Sequence, residues 1–421
     1  MFRFAIFGAG AIAVRFCDAV SLMDDALVCS VASKSLDRAQ RFAEKQHLPS
    51  AYGSYEELLA REHPDCVYIA TTNQDHFRLT MLCLAAGIPV LCEKAMFESA
   101  LQAREAIRKA REHQVFWMEG LWSRFLPAIC KAREWLEAGR IGTPSVGSCT
   151  IGFVAPKDDL NRYYSPLLGG GCAKDVTVYA YELSTYLFRR QPDAHVVQAV
   201  FSPSGVDIAN QLTLRFGSFL MSLTTTFTAA PEEKLMLWGD LGAICVPHPH
   251  YASSATLLDL RGQVVEHFED TQTRNGFTYE LEEARRCIRS GLLESPVVPW
   301  AETLAFAEVI DEIHARGVLV EDGGVVAALV GRGFEGDVLV LLVGELAQQG
   351  TVPVGRCAVV VAPAGTAELL GREDIGDVLR GVVGEIGVVA DMERAGLSAG
   401  AFLRGDEDDA VGAAGAEDGG G

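Results

Sequence analysis

Apolar residues in the first hundred positions fall in short unbroken runs, separated by stretches of helical period. Phe2 to Phe7 predicts a short buried strand, Gly8-Ala9-Gly10 a turn, and Ala11 to about Ser21 a helix. Further strands are predicted at Leu27–Ala32, Cys66–Ala70 and Ile88–Cys92. Between them lie a helix capped by Ser35 that runs to about Gln46, one at about Tyr55–Arg61, and one at about His76–Ala86. Ser54 and Glu57 have capping-box spacing at the second of these. Strand alternating with helix predicts a parallel, doubly wound α/β sheet over residues 1–124. After Pro127 the period changes: a helix to about Ala138, then alternating strands from Gly142–Phe153 onward. Asn210 to Thr226 reads as a hairpin about Gly217-Ser218, Val246-Pro247 and Leu257–Val265 extend the sheet, and Thr278–Ser290 and Ala301–Ala315 close as helices. Residues 125–316 are therefore expected to form an α+β domain with a large, mostly antiparallel sheet.

Beyond residue 316 the pattern is lost. Residues 317–421 hold 23 of the 42 glycines and no lysine, and 75 of their 105 positions are Gly, Val, Ala, Asp or Glu. Codons for those five amino acids all begin with G, so this atypical C-terminal appendage resembles an out-of-frame reading of GC-rich DNA, or a disordered low-complexity tail. The rival reading is a small genuine domain with strands at 338–343 and 357–362. Gly405 to Gly421 is expected to be disordered under either.

Composition narrows the function. With 49% hydrophobic and 22% charged residues the chain is globular, and 421 residues suit more than one domain. Its 36 basic against 56 acidic side chains leave a net charge of −20, without the basic stripe that nucleic acid requires. The tail carries 12 of those 20 charges, having 6 Arg against 18 acids, so the body is only mildly acidic. No uncharged apolar run reaches the 18 or so residues of a membrane span. Eleven cysteines, odd in number and without a C-x-x-C pair, suit reduced buried thiols, and a cytoplasmic protein is expected. His248 and His250 share a strand face but have no third ligand nearby, so no metal site is expected.

The start of the chain carries the first candidate chemistry. Arg3 and the apolar run to Val14 imitate a signal peptide, yet strand, glycine turn and helix account for more of the same letters. Gly8-Ala9-Gly10-Ala11-Ile12-Ala13 is the G-x-G-x-x-A form of the dinucleotide fingerprint: Gly8 for the turn, Gly10 for a pyrophosphate's approach, Ala13 for close helix packing. A Rossmann-type sheet follows. At the end of the second strand, where an NAD site usually has a carboxylate, stand Ser33, Lys34 and Ser35, with Arg38 a turn later. A hydroxyl and two cations suit a 2′-phosphate, so NADP is expected over NAD, although NAD remains possible and Ser35 also serves as a helix cap. Asn73 and Lys94 lie at the carboxyl ends of the third and fourth strands, the binding edge of such sheets.

Six ordered segments make the resemblance specific: GAGAIA at 8–13, ATTNQDH at 70–76, LCEKA at 91–95, MEGLWSRFLP at 118–127, LGGGCAKDVTVY at 168–179 and NGFTYELEEARRCI at 275–288. Together they resemble the Gfo/Idh/MocA oxidoreductases, most of all the branch with dimeric dihydrodiol dehydrogenases and NADP-dependent D-xylose 1-dehydrogenases. The resemblance implies hydride transfer between NADP and a sugar such as D-xylose or D-glucose, or a trans-dihydrodiol. It implies Tyr179 as general acid/base, assisted by Lys94, with Asp175 beside them. Cofactor contacts are implied at Gly8, Gly10, Ala11, Ile12, Ser33, Lys34, Arg38, Thr71, Asn73, His76, Glu93, Lys94, Trp122 and Arg124. Phe153, Arg162, Tyr163, Asp175 and Tyr179 are the implied substrate contacts, and a homodimer through the antiparallel sheet is implied as well. Tyrosine near pKa 10 is a poor base at neutral pH, and a neighbouring Lys94 ammonium is expected to lower it. Gly169–Gly171 is expected to let backbone approach the ligand. Departures are Ala95 and Thr72 where proline is usual, which loosens the turn at Lys94, and Lys174 where apolar residues are usual. Two alternatives share the fold: a glucose–fructose-type oxidoreductase and a non-catalytic NADP-sensing regulator.

Overall fold

The computed structural model describes residues 1–158 and 160–316 and, beyond them, only four strands. The first sheet is built from β1 (Phe2–Phe7), β2 (Ala26–Ala32), β3 (Ser50–Tyr52), β4 (Cys66–Ile69), β5 (Val90–Glu93) and β6 (Trp117–Gly120). Helices α1 (Ala11–Val20), α2 (Leu36–Gln46), α3 (Tyr55–Arg61), α4 (Asn73–Ala85) and α5 (Ala100–His113) alternate with them. All pairings are parallel, in the order β3-β2-β1-β4-β5-β6, so the order reverses beside β1. Alternate residues of the same strand feed two different cores: Phe4, Ile6 and Tyr68 one, Phe7, Val67 and Ile69 the other. Continuous apolar runs follow directly, because each face of the sheet is buried.

Past a short 3₁₀ turn at Trp122–Phe125, the second half adds α6 (Pro127–Glu137), β7 (Pro144–Gly152), a π-helical turn at Ala173–Thr177 that runs into α7 (Val178–Phe188), and β8 (Ala194–Phe201). Then come β9 (Asp207–Phe216), β10 (Phe219–Thr226), β11 (Lys234–Gly239), β12 (Gly242–Pro247), β13 (Ser254–Asp259), β14 (Val264–Glu269), α8 (Phe277–Arg289) and α9 (Trp300–Arg316). The eight strands lie in the order β14-β13-β12-β11-β7-β10-β9-β8, antiparallel except where β10 meets β7. The predicted hairpin is present, with Phe216 paired to Phe219 around Gly217-Ser218. The single strand expected at Leu257–Val265 is two, because Asp259 caps a turn: its Oδ1 accepts from Arg261 and Gln263 N–H, and Gly262 has φ +75°. One sheet face packs on α6 and α7; the other exposes Val146, Val196, Val200, Leu220 and Trp238.

Helix α9 returns to the first sheet. Trp300 stacks on Trp117 at 5.3 Å, Thr303 donates to Glu119 at 2.7 Å, and Asp311 accepts from Ala100 N–H at 2.9 Å. Residues 1–317 thus form one unit by their internal contacts. Among the described residues no helix is long and apolar enough to cross a membrane, and the cysteines are unpaired. In the appendage the described strands β15 (Val325–Arg332), β16 (Val338–Glu345), β17 (Cys357–Pro363) and β18 (Val388–Ala390) pair antiparallel in that order. They include both stretches where the small-domain reading puts strands. The expectation for 405–421 lies outside the described residues.

Candidate functional site

The site begins where β1 ends. Gly8 has φ +104°, and a Cβ there would stand 2.6 Å from the Ala70 carbonyl oxygen, so only glycine fits between β1 and β4. Gly10 caps α1, with nothing within 4 Å of its Cβ position, and the first turn after it, from Ala11 and Ile12, holds no acidic residue. Open space and unopposed helix N–H groups suit a pyrophosphate.

Around this turn the cations are less free than the sequence implies. Lys34 Nζ pairs with Asp75 Oδ2 at 2.7 Å, so a carboxylate does reach this edge, delivered by α4. Arg38 donates to the Ala9 carbonyl at 3.3 Å, which sets its guanidinium against the glycine turn. Ser33 is buried, and Ser35 caps α2 by accepting from Arg38 N–H.

The loop after β5 holds Lys94. The Lys94–Ala95 peptide is cis, and Ala95 oxygen accepts from Asn73 Nδ2 at 3.0 Å and lies 3.1 Å from His76 Nδ1. His76 Nε2 is 3.2 Å from the Thr71 oxygen. The expected looseness at Ala95 is thereby corrected: side chains hold the turn that proline is absent from. Buried His76 and half-buried Asn73 thus hold the backbone that carries Lys94.

Lys94 Nζ donates to Asp175 Oδ1 at 2.9 Å and to the Asp175 carbonyl at 2.6 Å, bridging the two sheets' halves of the chain. It sits 4.8 Å from the centre of the Tyr179 ring. Arg162 adds a second contact to Asp175 at 3.2 Å and reaches the Tyr163 hydroxyl at 3.1 Å. Burial opposes charge on Asp175, but Lys94 and then Arg162 outweigh it and hold the carboxyl below its usual range. Tyr179 is buried, and its hydroxyl accepts from Trp122 Nε1 at 3.1 Å. Burial first, then Glu93 and Asp175, push its phenol well above the ordinary value. The expected lowering by Lys94 is corrected, since its ammonium lies over the ring and is engaged by Asp175.

Several other assignments change. Arg124 is 1% exposed and committed to Glu182 at 2.8 Å and to the Val297 carbonyl, so it ties α7 to the interior and does not face a cofactor. Trp122 stacks on Phe277 at 5.1 Å and serves Tyr179. Lys174 pairs with Glu98 at 3.0 Å and so faces neither substrate nor open solvent. Gly169 and Gly171 make room for Asn73 and Asp207, packing the π-turn instead of admitting ligand. Phe153 and Tyr163 stand together, 5.4 Å between rings, as a half-buried aromatic wall. Glu93 is buried and bonded by the Tyr68 hydroxyl beneath Lys94.

Three residues escaped the sequence reading. Asp75 was visible inside ATTNQDH but not as the partner of Lys34. Glu280 is fully buried with neither carboxyl oxygen bonded, and its carboxyl is pushed well above the usual range by burial, then Glu93 and Glu182. His250 lies beside Tyr179 with ring centres 5.3 Å apart. Among the described residues no group of three or more His, Cys, Asp or Glu is placed to hold a metal.

Known proteins match this architecture. Residues 2–121 fit the model of the Gfo/Idh/MocA oxidoreductase family, NAD-binding Rossmann fold, and residues 129–245 fit the Gfo/Idh/MocA C-terminal domain. The trans-1,2-dihydrobenzene-1,2-diol dehydrogenase of Mus musculus is 34% identical over 325 residues, covering 74% of this chain and 95% of that protein. Its namesake in Danio rerio is 32% identical, with 75% and 96% covered. Among solved structures, an aldose-aldose oxidoreductase from Caulobacter crescentus superposes with a TM-score of 0.68 at 21% identity, covering 75% of this chain and 97% of that one. A levoglucosan dehydrogenase gives 0.66 at 17%, with 75% and 98% covered.

Proposed function

Because the chain belongs to the Gfo/Idh/MocA family of NAD-binding Rossmann-fold oxidoreductases, we propose that it is an NADP-dependent dehydrogenase of an aldose or trans-dihydrodiol hydroxyl. The observation that carries the proposal is the convergence of Lys94, Asp175 and Tyr179 at the carboxyl edge of the parallel sheet. When bound, the nicotinamide supplies the hydride acceptor. The protein's part is to move the hydroxyl proton and hold the carbon still. Tyr179 exchanges that proton with the substrate oxygen, and the Lys94 ammonium, fixed by Asp175, donates to the same oxygen as charge develops on it. With its phenol held protonated, Tyr179 is ready to donate in the direction of carbonyl reduction; to accept a proton during oxidation it must first lose its own. Arg162 and Tyr163 offer donors to a polyol, while Phe153 and Trp122 offer flat apolar surface to a cyclic diol.

Lys34 and Arg38 beside the glycine turn support NADP over NAD, with Asp75 tempering the preference. The exposed apolar face around Val146, Leu220 and Trp238 supports a homodimer joined through the large sheet, which sedimentation equilibrium tests directly. The deciding experiment for the activity follows reduction of NADP⁺ and of NAD⁺ with a panel of aldoses and trans-dihydrodiols. Turnover with at least one, and a higher kcat/KM for NADP⁺, is expected. NADP binding without turnover on any substrate of the panel would refute the enzymatic reading and favour a cofactor-sensing protein.

A further inference from the structure

His250 sits on the short turn Pro249–Tyr251 after β12, packed against the start of α7. Its ring lies 5.3 Å from that of Tyr179, tilted by 33°, and edge-on to Tyr251 at 4.5 Å. Nδ1 is buried with no hydrogen-bond partner, and Glu233 Oε2 lies 3.9 Å from it. Glu233 is itself pinned. Its Oε1 accepts from Gly152 N–H at 3.2 Å, its Oε2 accepts from the Tyr251 hydroxyl at 3.2 Å, and His248 Nδ1 is 3.4 Å away. Three neighbours thus hold one carboxylate beside a single nitrogen of His250.

From this geometry we infer that His250 determines specificity by accepting, at Nε2, a hydrogen bond from a second substrate hydroxyl adjacent to the one oxidised at Tyr179. The inference rests on the dehydrogenase reading above and names its substrate class as vicinal diols, cyclic or sugar. A neutral imidazole has one N–H and one lone pair, and which nitrogen keeps the proton is set by what the other faces. Glu233 attracts the proton to Nδ1. Nε2, which carries no hydrogen bond within the described residues, is then an acceptor, and a hydroxyl is the substrate group able to satisfy it. The imidazole stays neutral through the working pH range: burial, with Lys94 and His248 nearby, outweighs Glu233 and Asp175 and holds it down to about 4. Glu233 is a positioning residue in this scheme, acting only through the tautomer.

The test compares wild type with His250→Phe, which keeps an aromatic ring against Tyr179 and removes the acceptor. Each is assayed by NADP⁺ reduction with paired substrates differing by the neighbouring hydroxyl: trans-cyclohexane-1,2-diol against cyclohexanol, and D-glucose against 2-deoxy-D-glucose. The ratio of kcat/KM within a pair should fall about five- to tenfold in the variant, the worth of one neutral hydrogen bond. An unchanged ratio overturns the inference while leaving the dehydrogenase reading intact. Imidazole ¹⁵N spectra of the wild-type protein give a readout independent of turnover. The Nδ1–H tautomer should be present at pH 7, move to the other form in Glu233→Gln, and shift at Nε2 on adding trans-cyclohexane-1,2-diol. An Nε2–H tautomer in the wild type, or no shift with the diol, overturns it. Failure of the wild type to oxidise any of the four substrates counts against the dehydrogenase reading instead, and the diol shift still reports on His250.

Discussion

Tyr179→Phe removes a single oxygen with two tasks to lose, the proton exchange proposed above and the acceptor role for Trp122. As the proton-exchanging group its loss should lower kcat by roughly 10²–10⁴, equivalent to about 3–5 kcal/mol on the barrier. As acceptor for Trp122 Nε1 at 3.1 Å its loss leaves an indole N–H without a partner. A fully buried donor stranded in this way costs about 1–3 kcal/mol, but Trp122 is half-buried and water relieves part of that, so about 1 kcal/mol of stability is expected. The ring itself remains, so its packing against Lys94 and His250 is kept. Cofactor affinity should not change, because the glycine turn, Lys34 and Arg38 lie on the other half of the chain. Initial-rate kinetics, a fluorescence titration with NADP and a urea melt measure the three quantities separately. Turnover within threefold of wild type, with the stability loss present, would refute Tyr179 as the acid/base and leave it as a packing residue.

The pH dependence has a definite sign. Since the phenol is held well above its ordinary value, oxidation should accelerate with pH, by up to tenfold per unit, into the alkaline range, while carbonyl reduction stays level; a bell-shaped oxidation profile centred near neutrality would contradict this. In the cofactor pocket, Ser33→Ala with Lys34→Ala should weaken NADP more than NAD, whereas Asp75→Asn, by releasing Lys34, should raise the NADP preference about two- to fivefold, read from the dissociation constants. Glu280 provides a stability test. Its folded-state pKa is raised, so the native protein holds a proton the unfolded chain gives up, and stability falls as pH rises above about 4.3. Glu280→Gln abolishes that slope: beyond a constant offset, its stability relative to wild type should grow by up to about 1.4 kcal/mol per pH unit from pH 5 upward, and parallel melts at all pH values would count against a buried neutral acid.

Strong local signals made the parallel sheet readable. Phe4–Phe7, Cys66–Ile69 and Val90–Cys92 are apolar because both faces are covered, and the glycine turn announces itself through sterics at Gly8. Helix α5 and strand β6 went unread because α5 buries only alanines, at 100, 103, 106 and 110, and β6 carries Glu119 in its centre. Helix α4 begins three residues before the expected His76, which makes Asn73, expected as a ligand at a strand's carboxyl end, a helix side chain with partners and brings Asp75 to Lys34. Lys94, Asp175 and Tyr179 were nameable through motif resemblance, but their mutual arrangement was not, since it depends on contacts 81 and 85 residues apart in the chain. Arg124 and His76 show the limit most plainly. A polar residue within a motif reads as a ligand contact, and only the packed interior reveals that Glu182 or two backbone carbonyls have claimed it.

The π-helical turn at Ala173–Thr177 makes the site unusually sensitive to chain length. One residue of regular α-helix corresponds to about 100° of rotation. Deleting Val176, so that the segment relaxed to ordinary α-helical winding, would keep every reactive side chain in the sequence. Asp175 would then precede Tyr179 by three residues, about 300° of α-helical rotation, instead of by four residues wound through the wider π-turn, and its grip on Lys94 would change with it. The shortened turn would alter the site in a way that no comparison of residue identities at 94, 175 and 179 would register.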